Sequence, residues 1–396
     1  MNKTKSMGMY IHIPFCMTKC KYCDFLSFPC DEPTKRIYVD SLKREILAWG
    51  NIYGLGGENR NISTIFIGGG TPSYLDSNLI FEIMKCVRNN FYIDENAEIT
   101  IECNPGTLNL LKLSDFKSCG INRLSIGLQS ANDNELKAIG RIHSFTQFKE
   151  SFLDARTAGF DNINIDLMTA LPYQTLDSLS NTLDTVIELN PEHISAYSLI
   201  LEEHTPLYDY INLGHANILP DENIDREMYY LTKEKLLSAG YERYEISNYS
   251  KPNYASRHNL AYWNRTDYLG VGLGASSFID NVRYKNEENI SAYLLLLDKN
   301  FDDNHDGNIS KLKREITTLN LNDSMEEFMF LGLRKESGIS ISEFSRSFNK
   351  DIFDVYGNVL DKYSKMNLLN INNGNIKLTA AGFDVSNTIF CDFLLD

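Results

Sequence analysis

The chain has 396 residues, 43% of them hydrophobic, and a formal net charge of −15 from 38 Lys and Arg against 53 Asp and Glu. That length supplies more core than one small domain needs, and the acidic balance excludes a dedicated nucleic-acid binder or an electrostatic membrane anchor, both of which need basic patches. No stretch approaches the roughly 18 consecutive apolar residues of a spanning helix; residues 1–9 carry two lysines and no apolar h-region, so a cytoplasmic protein without a signal peptide is expected.

In chain order, the first half alternates strand and helix. Short β-rich runs fall at 10–13, 64–67, 98–102, 123–126, 162–167 and 193–198. Between them lie helical patterns, such as Val39, Leu42, Ile46 and Trp49 on one face, and the stretches 79–90, 145–158 and 176–189. Strands that each precede a helix imply a parallel sheet joined by right-handed crossovers. A complete eight-unit barrel takes about 250 residues, so the α/β class is expected in the form of an incomplete (β/α)6 barrel of the TIM type. The polar residues then fall in register. Three cysteines follow strand one, Gly68-Gly69-Gly70-Thr71-Pro72 follows strand two, Glu102 ends strand three, Gln129 follows strand four and Asp166 lies near the end of strand five. Each alone reads as an ordinary turn or cap residue. Together they aim chemistry at the C-terminal mouth of the barrel, where such folds build their sites.

From Tyr241 to Phe278 the alternation gives way to an aromatic, glycine-bearing segment, and the Asp/Asn-rich stretch 298–310 reads as a linker. Helical patterns at 325–333, 342–348 and 355–363 follow, with a hairpin at 369–378 around Asn373-Gly374. The expected division is a barrel core at 1–240, an aromatic extension with linker at 241–305, and a small, mainly helical domain at 306–396.

Of the eight cysteines, Cys16, Cys20 and Cys23 crowd together, and Cys30, Cys86, Cys103, Cys119 and Cys391 are scattered. That is no disulfide framework; clustered cysteines in such a chain point to metal or redox chemistry. The spacing is C-x3-C-x2-C. Soft thiolates suit iron–sulfur clusters, and three of them in one loop can hold three irons of a cubane while leaving the fourth open to a chelating small molecule. A structural zinc site competes, but closes with a fourth Cys or His. Cys30 and His12 lie near without giving a familiar spacing. On the residues alone both readings stay open.

The stretch from Tyr10-Ile-His-Ile-Pro-Phe-Cys16 through Cys23-Asp-Phe25 resembles the signature of the radical SAM superfamily, and more narrowly its oxygen-independent coproporphyrinogen III oxidase branch. Gly68 to Ser73, Ile101-Glu102-Cys103-Asn104-Pro105, Arg123-Leu-Ser-Ile-Gly-Leu-Gln129, Arg141 and Asn164-Ile-Asp166 recur in that branch's order. The resemblance covers nearly the whole chain. It implies a radical SAM barrel, a [4Fe–4S] cluster on Cys16, Cys20 and Cys23, and S-adenosylmethionine (SAM) chelating the open iron and cleaved there by one electron. It further implies SAM contacts at Tyr10, Tyr22, Gly69, Gly70, Thr71, Glu102, Gln129, Arg141, Asp166 and Ile200. Glu102 is expected to accept from the SAM ammonium, and Gln129 and Asp166 to serve the ribose or a second ligand. Thr169-Ala170-Leu171-Pro172 departs from the branch, which shows an aromatic residue or glycine before Gly-Leu-Pro.

Two details divide the branch. The oxidases carry a fourth cysteine two residues past the third, where this chain has Phe25, and His258-Asn259-Leu-Ala-Tyr262-Trp263 resembles the H-N-x-x-Y-W motif of the haem chaperones. The resemblance therefore implies a chaperone that binds haem, with His258 as a candidate axial ligand, and that lacks the oxidase reaction; the alternative is a radical SAM enzyme of the oxidase type acting on a porphyrinogen, which the missing fourth cysteine weakens. It also implies haem-accepting proteins and an electron donor as partners, and leaves a homodimer open. An ordinary hydrogen-bonded core histidine is the plain alternative for His258.

Overall fold

The structure is a computed structural model in which residues 5–298 and 309–395 are described. The expected linker at 298–310, and the boundary placed within it, fall almost entirely outside the described residues. Six parallel strands form the frame: β1 (Ser6–Ile13), β2 (Asn61–Gly69), β3 (Tyr92–Cys103), β4 (Arg123–Gln129), β5 (Ile163–Thr169) and β6 (His193–Ser198). They are the six strands expected from the sequence.

Alternation within these strands explains both the core and the site. Met7, Met9, Ile11 and Ile13 of β1, Ile65 and Ile67 of β2, Leu124, Ile126 and Leu128 of β4, and Ile163, Ile165 and Leu167 of β5 belong to one buried apolar cluster with the helices. Successive side chains of a strand point to opposite faces, so the intervening residues share the concave face. They include Tyr10 and His12, Glu102, Arg123 and Ser125, Asn164 and Asp166, and His193 and Ser195. One face is aliphatic and packs under helices; the other is polar and lines cavities.

The sheet does not close. Among the described residues it is a linear run of twelve strands. The aromatic segment after Tyr241, read from the sequence as a lapse in the alternation, supplies strands to both edges. Beside β6 lie β7 (Glu242–Arg243) and β8 (Asn248–Ser250). Beside β1 lies β9 (Tyr268–Val271), parallel to it, then β10 (Ser276–Ile279), β11 (Val282–Asn286) and β12 (Lys313–Thr318) in antiparallel order. These strands are too short for a period-two pattern to stand out.

The helix Glu32–Tyr53 is capped by Asp31, whose carboxylate accepts from the backbone N–H of Thr34 at 3.0 Å. Removing that acceptor with Asp31→Ala is expected to lower the unfolding free energy by about 1 kcal/mol, measured by denaturant titration. From the same helix, fully buried Glu45 accepts from Tyr293 Oη at 2.6 Å, Asn286 Nδ2 at 2.7 Å and Gly272 N at 2.9 Å. That carboxylate ties the first helix to the β9 edge.

A second apolar core collects Met325, Met329, Phe344, Tyr356, Leu360 and Ile389 among others. It is built from the helices Leu321–Gly332, Ile341–Phe348 and Ile352–Lys365 and a small sheet whose hairpin joins Leu369–Asn372 to Asn375–Leu378. Asn373 and Gly374 both take positive φ, 50° and 77°, as a two-residue hairpin turn requires. Among the described residues no helix is long and apolar enough to cross a membrane.

Candidate functional site

The loop after β1 is pinched at its neck by two backbone bonds, Phe28 N to Pro14 O at 2.9 Å and Cys16 N to Phe28 O at 3.1 Å. Within it Cys23 N donates to Cys20 O at 3.3 Å, folding the second and third cysteines into a turn. The loop thus presents Cys16, Cys20 and Cys23 to one cavity of about 130 Å³. Tyr22, Gly69, Gly70, Thr71, Glu102, Gln129, Arg141 and Asp166 line the same cavity. Tyr10 lines the two neighbouring cavities that share Glu102 with it. Ile200 stands apart: it is 69% exposed and borders none of these spaces.

Close packing dictates the glycines. Gly69 has φ of 119°, and a Cβ there would lie 2.5 Å from the His12 ring. A Cβ on Gly70 would lie 2.9 Å from Phe15 O and 3.0 Å from Cys16 Sγ, so any side chain would fill the space beside that sulfur. Cys16 Sγ is 3.4 Å from Thr71 Oγ1, which accepts from Asn104 Nδ2 at 2.8 Å. Arg141 approaches Cys20 Sγ at 3.7 Å while donating to Asn104 Oδ1 and Gly127 O. Gln129 ends β4 at φ of 67°, beside a register shift against β5, and its buried Oε1 has no partner. A non-glycine residue held there, with an orphan acceptor, is strain of the kind that collects at ligand sites. Ala170 at φ of 57° shows why the departing tetrapeptide matters: the backbone takes a conformation that favours the glycine expected of the branch.

Burial pushes the Glu102 carboxyl up to about 8, with the negative field of Asp166 adding to it. Burial also raises Asp166, against hydrogen bonds from Asn164 Nδ2 at 2.8 Å and Ser125 Oγ at 3.0 Å. Glu102 Oε2 accepts from Gly69 N at 3.0 Å. The Cys23 thiol and the Tyr22 hydroxyl are raised by burial as well. Two neighbouring buried carboxyls of raised affinity for protons will favour a cationic ligand.

His258 sits on the helix Arg257–Trp263, 2% exposed. Its Nδ1 is 2.8 Å from Thr64 Oγ1 and its Nε2 is 2.9 Å from Tyr262 Oη. The ring stacks on Phe66 at 5.3 Å, and burial, then the charge of Arg123, lowers its basicity to about 3. Neither ring nitrogen is free to bind iron in this arrangement; the ring instead fixes Tyr262, which lines the larger cavities. The sequence reading quoted Arg123, Ser125 and Asn164 only within motifs, without a role at the site, and took His193 only as the start of a strand; all four lie on the polar face. Their signal was available: each alternates with an aliphatic residue inside a strand.

Among the described residues no group of three or more His, Cys, Asp and Glu side chains is set to hold a single metal ion. The three thiols border one cavity. An open parallel barrel whose first loop presents C-x3-C-x2-C to such a mouth defines the radical SAM class. Residues 10–186 match the family model of the Radical SAM superfamily, and residues 319–385 that of the HemN C-terminal domain. The chain is 34% identical to the heme chaperone HemW of Lactococcus lactis, over 99% of this chain and 98% of that one. It is 35% identical to the heme chaperone HemW of Bacillus subtilis, over 97% and 98%. The solved coproporphyrinogen III oxidase HemN of Escherichia coli superposes with a TM-score of 0.83 at 25% identity, covering 98% of this chain and 90% of that one. The chain belongs to the HemW family of the radical SAM superfamily.

Proposed function

We propose that the chain is a cytoplasmic haem chaperone built on a radical SAM core, which binds haem and passes it to haem-accepting proteins. The observation that supports the core is the single cavity that joins three thiols of one loop to two buried carboxyls. The residues fit a [4Fe–4S] cluster and SAM. Cys16, Cys20 and Cys23 are soft donors on one wall, Gly70 keeps the space beside Cys16 open, and Gln129 Oε1 awaits a donor. When bound, the cluster and SAM supply one-electron cleavage chemistry, which belongs to the cofactor.

The protein's own groups bind and orient. Glu102 accepts from the SAM ammonium, Asp166 and Gln129 hold ribose hydroxyls, and Gly69 and Gly70 let the backbone approach. Arg141, beside Cys20 Sγ, places a positive charge next to a thiolate. Tyr10, Tyr22 and Thr71 complete the walls, and Ile200 reaches the ligand only if its exposed segment folds inward. His258 acts as a positioning residue for Tyr262.

Phe25 favours the chaperone over the oxidase, because it occupies the fourth-cysteine position and borders both the cysteine cavity and the larger one beside it. Protein reconstituted anaerobically is expected to bind haem in a spectrophotometric titration and to form no protoporphyrinogen from coproporphyrinogen III. His258→Ala is expected to change haem affinity or the Soret band while iron content stays intact; His258→Gln, which can still reach Tyr262, is expected to restore much of it. Oxidase turnover by the unaltered protein would overturn the chaperone reading.

A further inference from the structure

Beside the cysteine cavity lies a larger one of about 720 Å³, within the roughly 300–1,000 Å³ of pockets that bury most of a ligand. Its walls combine Phe25, Trp263, Tyr268 and Phe278 with the guanidiniums of Arg265 and Arg283. Both guanidiniums lie over the Phe278 ring, at 5.4 and 5.2 Å. Both are also held by one carboxylate: Arg265 Nε donates to Glu327 Oε2 at 3.1 Å, and Arg283 Nη1 to Glu327 Oε1 at 2.6 Å.

Glu327 comes from the helix Leu321–Gly332 of the second core and is 6% exposed. The protein therefore inserts its own carboxylate, from another unit, between two arginines at the edge of an aromatic cavity. Arginine forks match carboxylates geometrically and make charge-assisted hydrogen bonds with them. A carboxylate on a flat apolar ligand could take the same two donors without leaving either cation unpaired; the displaced Glu327 must then swing out to solvent or take a proton, because a buried carboxylate left without partners is strongly penalised.

We propose that this cavity is the haem site, and that a haem propionate displaces Glu327 from Arg265 and Arg283. The proposal rests on the haem-binding reading above and adds where the cargo sits and what it moves. Displacing Glu327 removes one of the ties between the helix Leu321–Gly332 and the barrel, so loading alters how the second unit is held.

The test compares haem with its dimethyl ester, which keeps the ring and iron but loses both negative charges. The reconstituted protein and its Glu327→Gln, Arg265→Gln and Arg283→Gln variants are titrated with each. Glu327→Gln removes the internal competitor and is expected to tighten haem about tenfold, while each arginine variant weakens it about tenfold, the weight of a charge-assisted hydrogen bond. None of the three is expected to change affinity for the ester. Wild type that binds haem, with all three variants indistinguishable from it, would overturn the proposal and leave the haem reading standing. Wild type that binds neither compound would overturn the haem reading and this proposal with it. Arg283 is 40% exposed at its side chain, so Arg283→Gln decides the matter alone if Glu327→Gln fails to fold by circular dichroism.

Discussion

Replacing any one of Cys16, Cys20 and Cys23 with alanine is expected to abolish stable iron binding and the brown visible absorption of anaerobically reconstituted protein. Two thiolates cannot hold a cubane against loss to solvent, so the effect is all or nothing rather than graded. The other cysteines provide the control. Cys30 and Cys86 are half-buried, and Cys86 Sγ donates to Lys43 O at 3.4 Å. Cys103 is the demanding case, because it borders the same cavity. Its thiol is 3% exposed, contacts Ile101 O at 3.6 Å and is raised by burial, all of which disfavour a ligating thiolate. Iron content should survive Cys30→Ala, Cys86→Ala, Cys103→Ala, Cys119→Ala and Cys391→Ala. If Cys103→Ala or Cys30→Ala loses iron as completely as Cys20→Ala, the three-ligand site is wrong. If zinc fills the unaltered protein and iron does not, the cluster is wrong.

The parts of this molecule that were legible in the sequence are those where one residue type does one physical task. The helix Glu32–Tyr53 shows its buried face through Val39, Leu42, Ile46 and Trp49, because a surface helix must hide one stripe. The six parallel strands show through their aliphatic residues, and their polar ends mark the mouth. The edge strands β7 to β11 were illegible because strands of two to five residues carry no readable period and are held by pairing to a sheet already formed. His258 illustrates a different loss. Its neighbours in sequence suggested a ligand, but its hydrogen bonds run to Thr64 and to Tyr262, and the partner almost two hundred residues away is invisible until the chain folds. The same holds for Glu327, whose two arginines lie in different strands and loops and leave no local pattern.

The affinity for SAM is expected to rise with pH up to about 8, and Glu102 is the cause of the rise; above about 8 it falls again, because the ligand's own α-amino group, whose pKa is about 7.7–8.0, loses its proton. In the empty site its carboxyl is pushed from 4.5 up to about 8, chiefly by burial and next by Asp166. Its folded value lies above its unfolded one, so between those limits the folded chain holds a proton that the unfolded chain has released. The empty protein therefore loses this contribution to stability as pH rises through that window. A bound ammonium reverses the balance, because it is held by the ionised carboxylate. Below about 8, binding must expel the proton, and affinity should fall about tenfold for each pH unit. Equilibrium dialysis of the reconstituted protein under anaerobic conditions, from about pH 6 to 9, reads that slope directly. Glu102→Gln removes the carboxyl that titrates: the rise between about pH 6 and 8 should vanish, and binding near pH 8 should be weaker than wild type by some 1–3 kcal/mol, the range of a charge-assisted hydrogen bond. Asp166→Ala should weaken SAM by a similar amount and, by removing the neighbouring charge, shift the Glu102 inflection to lower pH. Cluster absorbance should persist in both variants, since neither side chain is expected to touch iron. A wild-type affinity that does not vary between about pH 6 and 8 would show that Glu102 is ionised before SAM arrives, or does not meet its ammonium at all. The two are separated by Glu102→Gln, which weakens binding in the first case and leaves it unchanged in the second.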